Sequence, residues 1–301
     1  MKVKHTQPLH GWINIDKPVS MTSAQVVSRV SAALGRVKAG HAGTLDPLAE
    51  GVLPIAVGEA TKTVPFIVDQ TKTYEFSVTW GEQRTTDDFE GEVVKKSNVR
   101  PTKDEILEIL PNFYGTIEQI PPAYSAIKIG GKPAYKRARA GETVKIPPRK
   151  VEIHEIKLLE CDSLDCASFS VTCGKGTYVR SLARDIAQLL GTVGYVSRLR
   201  RTRVGVFEEK YAIPLEKVEE VGHNLEGCLL PITAVLVDIP ALEVTDEEGV
   251  RLKRGQAIER TREASDGLDS GLILCRSKGD EPIALARADG QQVLPSRVFN
   301  I

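Results

Sequence analysis

The chain has 301 residues, 41% hydrophobic and 27% charged, with 40 lysines and arginines against 40 aspartates and glutamates. Such a length accommodates one large core or a large core with a short appendage, and no apolar run approaches the roughly 20 residues that a membrane span requires. Zero net charge excludes a uniformly basic nucleic-acid coat. In chain order, Trp12 to Ile15 is strand-like, and Asp16-Lys17-Pro18 turns toward Thr22-Ser23, an N-cap for a helix carrying Val26, Val27, Val30 and Leu34 and ending near Gly35. Lys38 to Gly58 is dense in glycine and proline and reads as an ordered loop with turns. Tyr74, Phe76, Val78 and Trp80 alternate with polar residues, the period of a half-buried strand. A short helix over Lys103 to Leu110, strands over Val151 to Leu159 and Ser168 to Cys173, and a helix over Val179 to Leu190 closed by Gly191 follow. Without strict βαβ alternation, the order predicts an α+β fold with a mixed, largely antiparallel sheet flanked by helices.

Prolines at 231 and 240 mark a boundary between a main domain, 1–235, and a small β module, 240–301, with paired strands Leu272 to Cys275 and Ile283 to Ala286. So short a tail is expected to pack on the larger unit. Charge is segregated. Lys128, Lys132, Lys136, Arg137, Arg139, Lys145, Arg149 and Lys150 face the single acid Glu142, a second basic run lies between Lys175 and Arg203, and acids gather from Glu208 to Glu248. Cys161, Cys166, Cys173, Cys228 and Cys275 form no C-x-x-C pair and read as free, structural thiols in a reducing compartment. The opening Met1-Lys2-Val3-Lys4-His5 leads into Gly11 without the apolar core of a secretory signal, so a cytoplasmic location is expected.

Chemistry concentrates in Gly43-Thr44-Leu45-Asp46-Pro47-Leu48. Pro47 fixes its own φ and lacks an N–H, so the loop can hold the Asp46 carboxylate in one orientation. Taken alone, an aspartate before proline is more often a turn former. The longer stretch His41-Ala42-Gly43-Thr44-Leu45-Asp46-Pro47-Leu48-Ala49-Glu50-Gly51-Val52-Leu53-Pro54 resembles the catalytic motif of the TruB-type tRNA pseudouridine synthases. Ile15-Asp16-Lys17-Pro18, Gly58-Glu59-Ala60-Thr61-Lys62, Lys72-Thr73-Tyr74, Ile120-Pro121-Pro122-Ala123-Tyr124-Ser125-Ala126-Ile127-Lys128, Gly174-Lys175-Gly176-Thr177-Tyr178-Val179-Arg180 and Leu199-Arg200-Arg201-Thr202-Arg203-Val204-Gly205 extend the resemblance, in order, over about the first two thirds of the chain.

The resemblance implies a pseudouridine-synthase fold with a PUA-like C-terminal domain, and an enzyme that isomerises the uridine at position 55 in the T-arm loop of tRNA without a cofactor or metal. It makes Asp46 the nucleophile, Arg180 its partner, Tyr74 the ring on the target base and His41 the residue that enters the RNA. Lys17 would support the active-site loop, with a surface turn lysine as the plain alternative, and Tyr178 adjoins Arg180 in its motif. By residue chemistry, a carboxylate supplies covalent catalysis and a guanidinium holds it ionised and aimed through charge-assisted hydrogen bonds, which a point-charge lysine would do less well. On its pattern alone Tyr74 is an ordinary core tyrosine. The family's acid beside the catalytic arginine aligns with Asp88, but Thr85-Thr86-Asp87-Asp88 departs from the usual spacing and leaves Asp87 as a competitor. The basic insertion about 122–150, including Lys128 and Arg137, is expected to clamp RNA, and Arg198, Arg200, Arg201 and Arg203 to add phosphate contacts. A monomer with no membrane and no obligate protein partner is expected. The rivals are an RNA chaperone using the same basic surfaces with catalysis secondary, and a glycoside hydrolase, which needs two placed carboxylates where only Asp46 stands in a convincing motif.

Overall fold

The computed structural model describes residues 9–222, 224–225, 227–259 and 271–301. The Met1 to His5 opening behind the localisation reading lies outside them. Among the described residues no helix is long and apolar enough to cross a membrane.

The framework is a ten-stranded sheet whose spatial order is Ile213–Pro214, Gly11–Lys17, Glu50–Val57, Gly194–Val204, Lys72–Trp80, Cys166–Cys173, Arg149–Ser163 and Gly115–Gln119. Ala39–His41 adds to Glu50–Val57, and Phe207–Glu208 adds to Gly194–Val204. Ile213–Pro214 with Gly11–Lys17 and Glu50–Val57 with Gly194–Val204 are parallel pairs, and the other ladders are antiparallel. The α+β reading is borne out. One face carries the helices Ser23–Ala33 and Val179–Leu189. Thr22 caps the first of these through a capping box, its hydroxyl taking the Gln25 N–H at 3.2 Å while the Gln25 side chain takes the Thr22 N–H at 2.8 Å. Val26, Val30 and Leu34 from that helix, Leu182 and Ile186 from the other, and Phe76, Val78, Trp80 and Phe169 from the sheet share one core. Phe76 stacks on Phe169 at 5.3 Å between ring centroids, so the alternating stripe points where its period predicts.

The expectation of loop and turns over Lys38 to Gly58 needs correction in its second half. Glu50–Val57 is a central strand, buried along nearly its whole length. Leu53, Ile55 and Val57 enter the helix-side core while Val52 and Ala56 enter the opposite one, so both faces are apolar and no alternation betrays the strand. Pro54 is tolerated because its carbonyl accepts from Ala42 N–H at 3.0 Å, which turns its missing donor toward the short Ala39–His41 strand instead of the long Gly11–Lys17 ladder.

The second core joins the far face of this sheet to a five-stranded sheet of order Ala241–Glu243, Leu272–Arg276, Pro282–Asp289, Gln292–Val298 and Ile258–Glu259. Trp12, Phe207 and Ile67 on one side meet Leu274, Leu285 and Phe299 on the other, so the small sheet packs on the large one, while Val244, Leu252, Ile258, Ile283 and Val293 give it a smaller core of its own. All five cysteines are unpaired, and burial pushes the Cys173 thiol up to about 11 and the Cys275 thiol up to about 12, so neither is a thiolate near neutral pH.

Gly51 is where the fold is least forgiving. Its φ is +100°, and a Cβ there would lie 2.3 Å from the Arg201 carbonyl oxygen of the neighbouring strand. Gly51→Ala is expected to destabilise the protein by more than about 2 kcal/mol, read as a lowered midpoint in thermal or urea unfolding. An unchanged midpoint would mean that the two strands sit further apart than described.

Candidate active site

The loop that carries Asp46 is pinned from inside at alternate residues. Lys17, fully buried, donates its ammonium to the carbonyls of Pro18 at 2.8 Å, Pro47 at 3.3 Å and Ala49 at 2.6 Å. Arg201, 1% exposed, donates Nε to the Val52 carbonyl at 2.8 Å and Nη2 to the Gly43 carbonyl at 3.0 Å. The Ser23 hydroxyl donates to the Leu45 carbonyl at 3.0 Å and accepts the Leu45 N–H at 2.9 Å. Leu45 and Leu48 plug the core on either side. With its backbone held this way, the loop turns the Asp46 side chain outward, where it remains 37% exposed.

Outward, it meets Arg180 in the first turn of the Val179–Leu189 helix. That helix starts at Tyr178, whose N–H is taken by the Gln119 side chain at 2.7 Å. The Arg180 guanidinium is 4% exposed and touches Asp46 Oδ2 at 2.9 Å, Asp88 Oδ2 at 3.4 Å, the Thr86 carbonyl at 2.9 Å and the Tyr124 carbonyl at 3.0 Å. The ambiguity between neighbouring acids resolves geometrically. Asp88 faces Arg180, and Asp87 pairs at 2.8 Å with Arg184, one turn further along the same helix. Burial raises the Asp88 carboxyl above its usual range, opposed by the Thr86 hydroxyl and by Arg180, and burial likewise raises Asp87 against the pull of Arg184. Asp87 takes a left-handed φ of +59°, a conformation an aspartate tolerates better than most residues.

Tyr74 lies on the strand beside Arg201, and burial pushes its phenol up, only partly offset by the Arg201 charge, so it stays protonated. Burial, and then the Arg201 charge, lowers His41, so its half-buried imidazole is neutral at pH 7. Burial raises the Tyr178 phenol, with Ser125 opposing.

The two basic runs part company. Lys128, Lys132, Lys136, Arg139, Lys145, Arg149 and Lys150 are exposed, and the only salt bridge from this stretch among the described residues joins Arg137 to Glu142 at 2.6 Å. In the later run Arg200 and Arg201 are spent internally, which corrects the expectation of phosphate contacts from these two. Arg201 is buried on loop carbonyls, and Arg200 is held among Asp16, Glu50 and Glu209, so neither guanidinium is offered to a phosphate. Arg198, on Glu50 at 3.3 Å, and Arg203 remain exposed. Lys17 also braces the loop from within and offers nothing to a ligand. Ser23, Arg184, Gln119 and the Thr86 and Tyr124 carbonyls were not foreseen. Arg184 alone had a signal, its four-residue spacing from Arg180 on one helix face.

Burial brings the Lys17 ammonium down to about 8, Arg201 adding to the fall and Asp46 and Glu50 opposing it. The unfolded value is near 10.5, so between about pH 8 and 10.5 the unfolded chain binds the extra proton and the stability contributed by this group rises with pH. Across that window the difference in unfolding free energy between wild type and Lys17→Met should move in favour of wild type, by up to about 3 kcal/mol, in urea titrations. A difference independent of pH would contradict a buried ammonium.

Residues 31–179 match the TruB family pseudouridylate synthase N-terminal domain, and residues 180–237 match the tRNA pseudouridylate synthase B C-terminal domain. The tRNA pseudouridine synthase B of Bradyrhizobium diazoefficiens is 50% identical over 97% of this chain and 86% of its own length, and that of Caulobacter vibrioides is 46% identical over 99% and 98%. Among solved structures, a Cbf5-Nop10-Gar1 complex aligns with a TM-score of 0.72 and 26% identity over 96% of this chain and 85% of that one. An H/ACA RNP bound to a substrate RNA containing 2′-deoxyuridine aligns with a TM-score of 0.72 over 97% and 85%, at 24% identity, and shares the fold. With the family motifs in order along the strands and the aspartate–arginine pair at their centre, the chain belongs to the TruB family of pseudouridylate synthases.

Proposed function

We propose that this protein converts the uridine at position 55 in the T-arm loop of tRNA to pseudouridine, with Asp46 as the nucleophile on a flipped-out nucleotide. The observation that carries the reading is the Asp46–Arg180 contact of 2.9 Å, in which the arginine is buried while the carboxylate keeps a solvent-facing side. The reaction breaks the N1–C1′ bond, turns the base and forms the C5–C1′ bond. C5 gives up a proton and N1 gains one, so no atom is added in net terms. A carboxylate held against one nitrogen of a buried guanidinium suits the covalent step, and a protonated Tyr74 offers an aromatic face to the extruded base. A neutral His41 at the loop edge can enter between bases without carrying charge into the stack.

The relatives' own names supply tRNA as the substrate class. The exposed cations of the 122–150 insertion, most of them free of carboxylates among the described residues, suit the phosphate backbone of a folded RNA. Residues 1–235 then form the catalytic unit, and 240–301 a PUA-like RNA-binding module. An RNA chaperone would use the same insertion but has no need of a buried arginine on four acceptors. A glycoside hydrolase needs a second accessible carboxylate, and Asp88 is 2% exposed with one oxygen on Thr86 and the Glu90 N–H and the other on Arg180.

Wild type incubated with a T-arm tRNA transcript should form pseudouridine at one position, and Asp46→Asn should lose at least about 10³-fold in kcat while binding RNA within about threefold of wild type. Equal yields would sink the nucleophile assignment, and free uracil would point to hydrolysis. Replacing Lys128, Lys132 and Lys136 together by alanine should weaken tRNA binding and flatten its salt dependence by roughly one unit of slope per lost phosphate contact, with kcat at saturating tRNA retained. An unaltered salt slope would place the RNA elsewhere.

A further inference from the structure

We propose that Arg201 is a positioning residue that sets the nucleophile loop and Tyr74 in register, an assignment resting on the reading of Asp46 as nucleophile. Gly51, Arg201 and Tyr74 are cross-strand neighbours on one rung, Arg201 between the other two. Gly51 follows the loop that carries Asp46, and having no side chain it lets the Arg201 backbone come close; a Cβ there would lie 2.3 Å from the Arg201 carbonyl oxygen. The Arg201 guanidinium reaches back over the loop, to the Val52 carbonyl with Nε and to the Gly43 carbonyl with Nη2. One rigid plane thus spans both ends of the segment from 43 to 52. On the other side its charge faces the Tyr74 phenol.

The energetics argue for a task beyond filling space. Arg201 is 1% exposed, and among the described residues no carboxylate forms a salt bridge with it. A buried cation held by carbonyls alone is costly, and an apolar side chain of similar volume would serve a merely packed site at least as well. What an apolar residue cannot do is fix the separation of two carbonyls. A lysine cannot either, because its single nitrogen has no fork. Asp46 lies between those carbonyls, three residues after Gly43 and six before Val52, so a change in their spacing moves the carboxylate relative to Arg180 and to the ring of Tyr74. A misplacement of about 1 Å at a reacting group is enough to cost on the order of 10² in rate.

The test compares wild type, Arg201→Lys, Asp46→Asn and Arg201→Lys/Asp46→Asn on a full-length tRNA transcript, with kcat, KM and thermal midpoint measured for each. Arg201→Lys is expected to lower kcat by about 30- to 100-fold with KM for tRNA within about threefold of wild type. In the Asp46→Asn background the same change should cost no further rate, because its effect passes through the Asp46 carboxylate. Wild-type kcat in Arg201→Lys overturns the proposal. So does a parallel loss of kcat, RNA affinity and thermal midpoint, or a variant that does not fold, since either assigns Arg201 to the core alone. A wild type that forms no pseudouridine would instead refute the functional reading beneath it.

Discussion

A guanidinium taken out of water costs several kcal/mol unless it finds partners, and the two terminal nitrogens of Arg180 find theirs by drawing three separate segments together, while its buried Nε has none among the described residues. The loop at 43–52 brings Asp46, the turn at 86–88 brings the Thr86 carbonyl and Asp88, and the segment leading into the basic insertion brings the Tyr124 carbonyl. Neighbouring residues of the same helix repeat the pattern. Ser181 donates to the Ile120 carbonyl at 2.8 Å, as does Arg184, which also holds Asp87. One helix face therefore anchors the Asp46 carboxylate, the acids Asp87 and Asp88 and the root of the basic insertion. The insertion cannot shift at its base without disturbing an acceptor of Arg180.

The acids around this helix divide by exposure. Asp87 and Asp88 are buried, and burial raises both, opposed by the arginines that face them and, at Asp88, by the Thr86 hydroxyl and the Glu90 N–H. Asp46 makes one contact with the same guanidinium and keeps a free side. The same arginine that would lock a fully enclosed carboxylate into a structural ion pair here leaves it oriented and still accessible. Behind the loop, Lys17 and Arg201 bond carbonyls and not carboxylates, so the backbone is fixed without consuming Asp46.

Basic residues were the least transparent part of the sequence. The two runs look alike on paper, yet the insertion's lysines stand in solvent while Arg180, Arg184, Arg200 and Arg201 are absorbed by acids and carbonyls from distant segments. Composition cannot distinguish them, because a charge is free or spent according to what lies across the sheet. Arg200 meets Asp16, which is 184 residues away. The strand at 50–57 was hidden for a related reason. It is covered on both faces and holds a glycine and a proline, so neither alternation nor propensity marks it.

Local patterns along the chain determined the amphipathic strand at Tyr74 to Trp80, the capped helix after Thr22, the helix closed by Gly191 and the α+β class, because each rests on periodicity or on contacts within a few residues. The ordered motifs likewise determined the family and singled out Asp46. Only the tertiary structure decided that Asp88 and not Asp87 faces Arg180, that Arg201 is a buried brace and not a phosphate ligand, and that the small C-terminal sheet shares one of its two cores with the large one. Each of these depends on which residues meet across strands far apart in sequence, and that is settled by packing and by the need to satisfy buried charge.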